Sequence, residues 1–166
     1  FLISVFFSLT FLFFLKNVGP PQHRVPGTDY RVYYGPIADS ILQGEGITRE
    51  GKVIGGIPPG YPVILSGIFL FSHLTGINKL DSIVIFNVIV TASACIFLFL
   101  IAELIFNREI ALIASFLWMS YPFNLWFIKN PNTEVPFILF LYLGIWLYIL
   151  AIRGQNANRK VGRAHV

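Results

Sequence analysis

Three uncharged apolar runs, residues 83–102, 110–128 and 135–152, constrain this chain more than any other feature. Each approaches or meets the ~17–25 residues with which a helix crosses the hydrocarbon of a bilayer. The first has Asn87, Thr91 and Ser93 as its notable polar residues, and the second has Pro122 near its end. The third carries Tyr142, Trp146 and Tyr148 among its aromatics. Composition agrees, with 55% hydrophobic and only 12% charged residues, about half the charged share of an ordinary soluble domain. A soluble domain of 166 residues could not hide so many apolar side chains. The expected fold class is an all-α polytopic membrane protein, with about four transmembrane helices and juxtamembrane helices in its first external loop.

The remaining apolar segments are shorter. Residues 1–15 fall below the ~20 residues of a spanning helix and are read as a first transmembrane helix cut short. A signal-peptide core is the competing reading, but "KNVGPPQHR" offers no small-residue cleavage pattern. Residues 61–76 include Ser66, Gly67, Ser72 and His73, so re-entrant or interfacial placement competes with spanning. The single cysteine, Cys95, excludes a disulfide framework or cysteine-based metal site within this chain.

Charge decides the doubtful segment. If 61–76 spans, only Lys79 and Lys129 lie opposite the long loop. If it does not, Arg108, Arg153, Arg159, Lys160 and Arg163 lie there together. The positive-inside rule favours the second topology. The expected order is then a transmembrane helix over 1–15 and an external loop over 16–82, with juxtamembrane helices at about 34–43 and 61–76. A transmembrane helix over 83–106, a cytoplasmic turn at 107–109 and a transmembrane helix over 110–128 follow. An external turn at 129–134, a transmembrane helix over 135–152 and a cytoplasmic basic segment over 153–166 complete the chain. Acidic residues from the loop and from the 129–134 turn would share one face.

In the loop, Tyr30, Tyr33 or Tyr34, Ile37 and Ile41 recur at helical spacing, and Gly44 and Gly46 read as a stop. Pro36 puts the regular part's start near Tyr34 or Gly35. Tyrosines on such a helix suit the headgroup layer, with ring buried and hydroxyl wet. Pro58, Pro59 and Pro62 stiffen a corner before the second helix, with Tyr61 at the interface. Asp29 reads either as a helix cap or as a general base, with Arg24 and Arg31 nearby to meet an anion. Asp39 and Glu45 read as solvated acids. Glu134 opens the last helix, where the dipole favours it and Thr133 is a candidate cap; a carboxylate there also suits a site at the membrane's edge. No patch pairs basic and aromatic residues as a nucleic-acid binder would.

The order "D…Y…A..IL.G.GI", from Asp29 to Ile47, then "PPGYP", Pro58 to Pro62, then "TEVPF", Thr133 to Phe137, resembles the N-terminal part of GT-C-fold glycosyltransferases. The type is that of the dolichyl-phosphate-mannose protein mannosyltransferases and aminoarabinose transferases. The resemblance implies a partial GT-C fold and an enzyme that takes sugar from a polyprenyl-phosphate-linked donor at the outer face of a membrane, here a prokaryotic plasma membrane. It implies Asp29 as the catalytic acid of the first loop and Glu134 as a second acidic position. Arg24, Arg31, Tyr34 and Tyr61 complete the expected substrate-binding set. Many relatives carry two adjacent acids where this chain has Asp29 followed by Tyr30. No cofactor is expected, and a divalent metal is left open, as are the sugar, the acceptor and the oligomeric state. The partners implied are the lipid-linked sugar and membrane lipid. The alternative is a non-catalytic membrane protein, a transporter or scaffold subunit; transport would favour ionisable residues at mid-membrane, which the clear crossings lack.

Overall fold

The computed structural model describes residues 1–18 and 26–164, with side chains for 1–17 and 26–155. Its helices are α1 (Leu2–Val18), α2 (Gly35–Leu42), α3 (Gly60–Thr75), α4 (Lys79–Ile105), α5 (Arg108–Ser120), α6 (Pro122–Ile128) and α7 (Glu134–Ala164). A two-stranded antiparallel hairpin, β1 (Thr48–Arg49) and β2 (Lys52–Val53), lies between α2 and α3.

Among the described residues, two helices are long and apolar enough to cross a membrane, Lys79–Ile105 and Glu134–Gln155. At 1.5 Å per residue α4 is about 40 Å long, more than the ~30 Å of hydrocarbon. Helices α5 and α6 make a third crossing only as a pair, bent by 55° where the chain was expected to run straight. Pro122 is the cause: it has no N–H to donate and biases Tyr121 toward extended backbone. Tyr121 is accordingly at φ −68°, ψ 119°. Helix α7 continues through Ala164, well past the expected boundary at 152.

Helix α4 is the central post. Small residues Ala92, Ala94, Cys95 and Ala102 are buried along it, allowing the close approach that substitutes for a hydrophobic driving force between helices in lipid. Helix α1 turns Ser4 and Ser8 inward, and the Ser8 hydroxyl donates to the Ser4 carbonyl at 2.9 Å. That bond hides a polar group that lipid could not solvate. Asn78 caps α4 by accepting from Leu80 N (2.8 Å), and Asn107 caps α5 by accepting from Ile110 N (2.9 Å). Arg153 on α7 donates to the Leu104 carbonyl near the end of α4, so the two helices finish at the same end of the bundle.

The first loop folds onto the other end. Ala38 of α2, Tyr61, Leu65, Ile68 and Phe69 of α3, and Ile83 of α4 form one buried cluster. Helix α3 begins after the rigid Pro58–Pro59 pair and ends at Gly76, whose φ of 72° is the left-handed cap that glycine adopts without strain. Its 16 residues reach only about 24 Å, short of a crossing. Asp39, expected to be solvated, instead pairs with Lys79, which also lies over the Phe69 ring. Glu45 is exposed, as expected, and accepts from the Ser40 hydroxyl at 3.1 Å. The hairpin had no expectation in the sequence. Its turn residues Glu50 (φ 53°) and Gly51 (φ 73°) both lie in the left-handed region, as a tight two-residue turn requires.

Candidate active site

The helical part of the loop starts earlier than Pro36 suggests. A π-helical turn, Tyr30–Tyr34, precedes α2, and the Gly35 N–H bonds back to the Tyr30 carbonyl. The wider turn makes room for the ring of Pro36, which would clash with the preceding carbonyl in a regular helix. A Cβ on Gly35 would lie 3.0 Å from that Tyr30 oxygen, so the motif depends on glycine. The result carries Tyr30 and Tyr34 onto α3. The Tyr34 and Tyr61 rings meet edge to face, 5.2 Å apart at 89°, a favoured aromatic geometry.

Tyr61, expected at the interface, packs inside the protein. It is 7% exposed, and its hydroxyl is buried near the Asn132 backbone. Burial raises its pKa, the Asn132 backbone opposes this, and Tyr30, Glu134 and Tyr34 add to the rise. Those neighbours locate the phenol where the first loop meets the turn before α7. The site thus joins residues separated by about half the chain.

That turn is held by two asparagines. Asn87 of α4, 1% exposed, donates to the Ile128 and Asn130 carbonyls, both at 3.1 Å. Asn132 donates to the Phe127 (2.6 Å) and Asn130 (2.9 Å) carbonyls, and its own oxygen accepts from Val135 N at 3.2 Å. Asn132, rather than the expected Thr133, therefore caps α7. The Thr133 hydroxyl instead reaches Glu134 at 3.4 Å. Glu134 itself is exposed. Asn87 was visible in the sequence as a polar residue of an uncharged crossing, costly in lipid unless bonded, but neither its acceptors nor the cap made by Asn132 could be read there.

Asp29 is exposed and forms no side-chain cap for the turn that follows it, so capping does not account for it. Arg31 is exposed on the same turn. Arg24 lies outside the described residues, as do His23 and the side chains of Arg159, Lys160 and Arg163. Tyr30 and Glu134 both lie near the Tyr61 phenol, and Asp29 directly precedes Tyr30 in the chain. Among the described residues, no group of three or more His, Cys, Asp or Glu is placed to hold a metal ion.

The model of one protein family, described as dolichyl-phosphate-mannose-protein mannosyltransferase, matches residues 58–161. The match starts at the Pro58–Pro59 corner and includes Tyr61, Asn87 and Glu134, while Asp29 precedes it. No curated protein and no solved structure matches the chain. With its helical membrane architecture, and with more than half its length within that match, the chain belongs to the dolichyl-phosphate-mannose-protein mannosyltransferase family of membrane glycosyltransferases.

Proposed function

We propose that this chain takes part in moving a sugar from a polyprenyl-phosphate-linked donor to a lipid, glycan or protein acceptor at the external face of a membrane. The observation that carries the proposal is the meeting of the first loop with the turn before α7, around Tyr61 and beside Glu134, in a chain of this family. The opposite end of the bundle carries Arg108 and Arg153, the charge bias of a cytoplasmic face.

In the proposed reaction Asp29 takes the proton of an acceptor hydroxyl as its oxygen attacks the anomeric carbon. The new bond forms at that carbon while its bond to the phosphate oxygen breaks, and polyprenyl phosphate leaves with the electron pair. Phosphate is already a good leaving group, so positioning and charge neutralisation supply most of the rate. Arg31 and Arg24 meet the phosphate, Tyr34 and Tyr61 shape the floor, and Glu134 positions the acceptor. The Tyr61 phenol stays protonated in this setting and can donate but not act as a base.

The test is sugar transfer in membranes with Asp29→Asn in the full-length protein. A loss of about 100-fold or more is the effect of removing a general base; near-normal transfer would sink the role of Asp29. Glu134→Gln with unchanged acceptor KM and rate would reduce that residue to a helix-end acid.

A further inference from the structure

We infer that Asn124 is a positioning residue: its amide latches the break between α5 and α6 and thereby aims α6 at the turn that carries Glu134. In a regular helix each carbonyl accepts from the N–H four residues further on. For the Trp118 carbonyl that residue is Pro122, which has no N–H. The Asn124 side chain supplies the missing donor, its Nδ2 lying 2.9 Å from the Trp118 oxygen. The Tyr121 N–H also turns to that oxygen, at a longer 3.3 Å. It thereby leaves the Leu117 carbonyl, which the Ser120 hydroxyl approaches at 3.2 Å while donating to the Phe116 carbonyl at 2.9 Å. Two side chains thus stand in where the proline and the bend remove backbone donors, in a span where lipid offers none.

The latch fixes a direction as well as a bond. Helix α6 is seven residues long, about 10 Å, and leaves α5 at 55°. Straightening the pair would swing the far end of α6 by about 10 Å. That would pull the Ile128 and Asn130 carbonyls away from Asn87, which donates to both. Helix α6 is therefore a short strut, held at its start by Asn124 and at its end by Asn87. Asn124 also borders a cavity of about 10 Å³ with Thr91 of α4 and with Val135, the residue after Glu134 on α7. The effect on transfer rests on the proposed role of Glu134; the latch itself does not.

The experiment is a double-mutant cycle of Asn124→Leu and Pro122→Ala in the full-length protein, read by reversible unfolding in mixed micelles and by sugar transfer. Asn124→Leu keeps the branching of the side chain and removes its donor. Alone, it is expected to lower the folding equilibrium constant about 10-fold, as for one carbonyl left short of a donor. With Pro122→Ala, residue 122 has an N–H of its own for Trp118, and Asn124→Leu is expected to cost less than about threefold. Asn124→Leu is further expected to raise the acceptor KM about fivefold with kcat within about twofold. Equal losses in the two backgrounds, or a loss below about twofold with Pro122 in place, overturn the latch. An Asn124→Leu protein that does not fold supports the latch if adding Pro122→Ala restores folding, and overturns it if not. Coupled losses with an unchanged acceptor KM overturn the positioning role. A wild type without transfer overturns the proposed reaction and the positioning role with it, while the unfolding cycle still decides the latch.

Discussion

Replacing Asn87 with leucine isolates the tie between the central helix and the turn that carries Glu134. The substitution keeps the heavy-atom count and branching of the side chain and removes both donated bonds, to the Ile128 and Asn130 carbonyls. Side-chain hydrogen bonds inside membrane proteins average about 0.6 kcal/mol each, so two set a floor of roughly 1 kcal/mol. Ile128 O ends α6 and loses its side-chain donor, whereas Asn130 O keeps the bond from Asn132. One newly unsatisfied buried carbonyl adds about 1–3 kcal/mol, giving a total near 2–4 kcal/mol. Reversible unfolding of the full chain in mixed micelles would measure that loss. Transfer assays carry the second readout: a loosened turn should raise acceptor KM more than it lowers kcat, because Glu134 is misplaced rather than removed. Asn87→Gln, with the same amide on a longer arm, should recover part of both effects. A leucine variant within about 0.5 kcal/mol of wild type and with unchanged KM would refute the reasoning, since it would mean that the two bonds hold nothing in place.

Four further outcomes follow from the geometry. Gly35→Ala brings a Cβ to 3.0 Å from a backbone oxygen and should destabilise the loop by about 1–3 kcal/mol, measured by protease resistance of the loop. Asp39→Asn breaks a half-exposed pair with Lys79 and should shift stability by less than about 1 kcal/mol, an effect that salt diminishes. Glu50→Gly relieves a left-handed φ of 53° and should stabilise the hairpin modestly, seen as slower amide exchange at Thr48 and Val53. Tyr61 has its pKa raised from 10.0 by burial, so the folded state holds its proton more tightly than the unfolded state. Stability should therefore fall as pH rises above about 10, and Tyr61→Phe should lose that part of the alkaline slope.

The crossings were legible because lipid imposes a one-dimensional rule, a long enough uncharged apolar run, that needs no partner to be read. The short helix after the Pro58–Pro59 corner was legible as a helix for the same reason: an apolar run of 16 residues between that corner and the Gly76 stop. What escaped were features defined by a partner far along the chain. Asn87 was one polar residue in an apolar run until its carbonyl acceptors 41 and 43 positions away were known. Asp39 read as solvated because Lys79 lies 40 residues on. The break at Tyr121 differed: Pro122 was visible, but only the surrounding helices decide whether a proline bends a span or ends it.

The site shows the same division. Tyr61 could be placed beside an interface from its neighbours in sequence, but its buried phenol is a consequence of α2 folding over α3 and of the turn before α7 closing from the side. That closure depends on Gly35, which admits the π-turn, and on Asn87, which fixes the turn's far end. Gly35 shapes the turn that follows Asp29, and Asn87 ties down the turn that precedes Glu134. A carboxylate pair that spans half the chain can serve one reaction only if such ties hold its halves in register. The family match covers the Asn87 and Glu134 half and stops short of Asp29. Loss of transfer in both Asp29→Asn and Asn87→Leu, with opposite partition between kcat and KM, is therefore the combined result that would join the two halves into one active site.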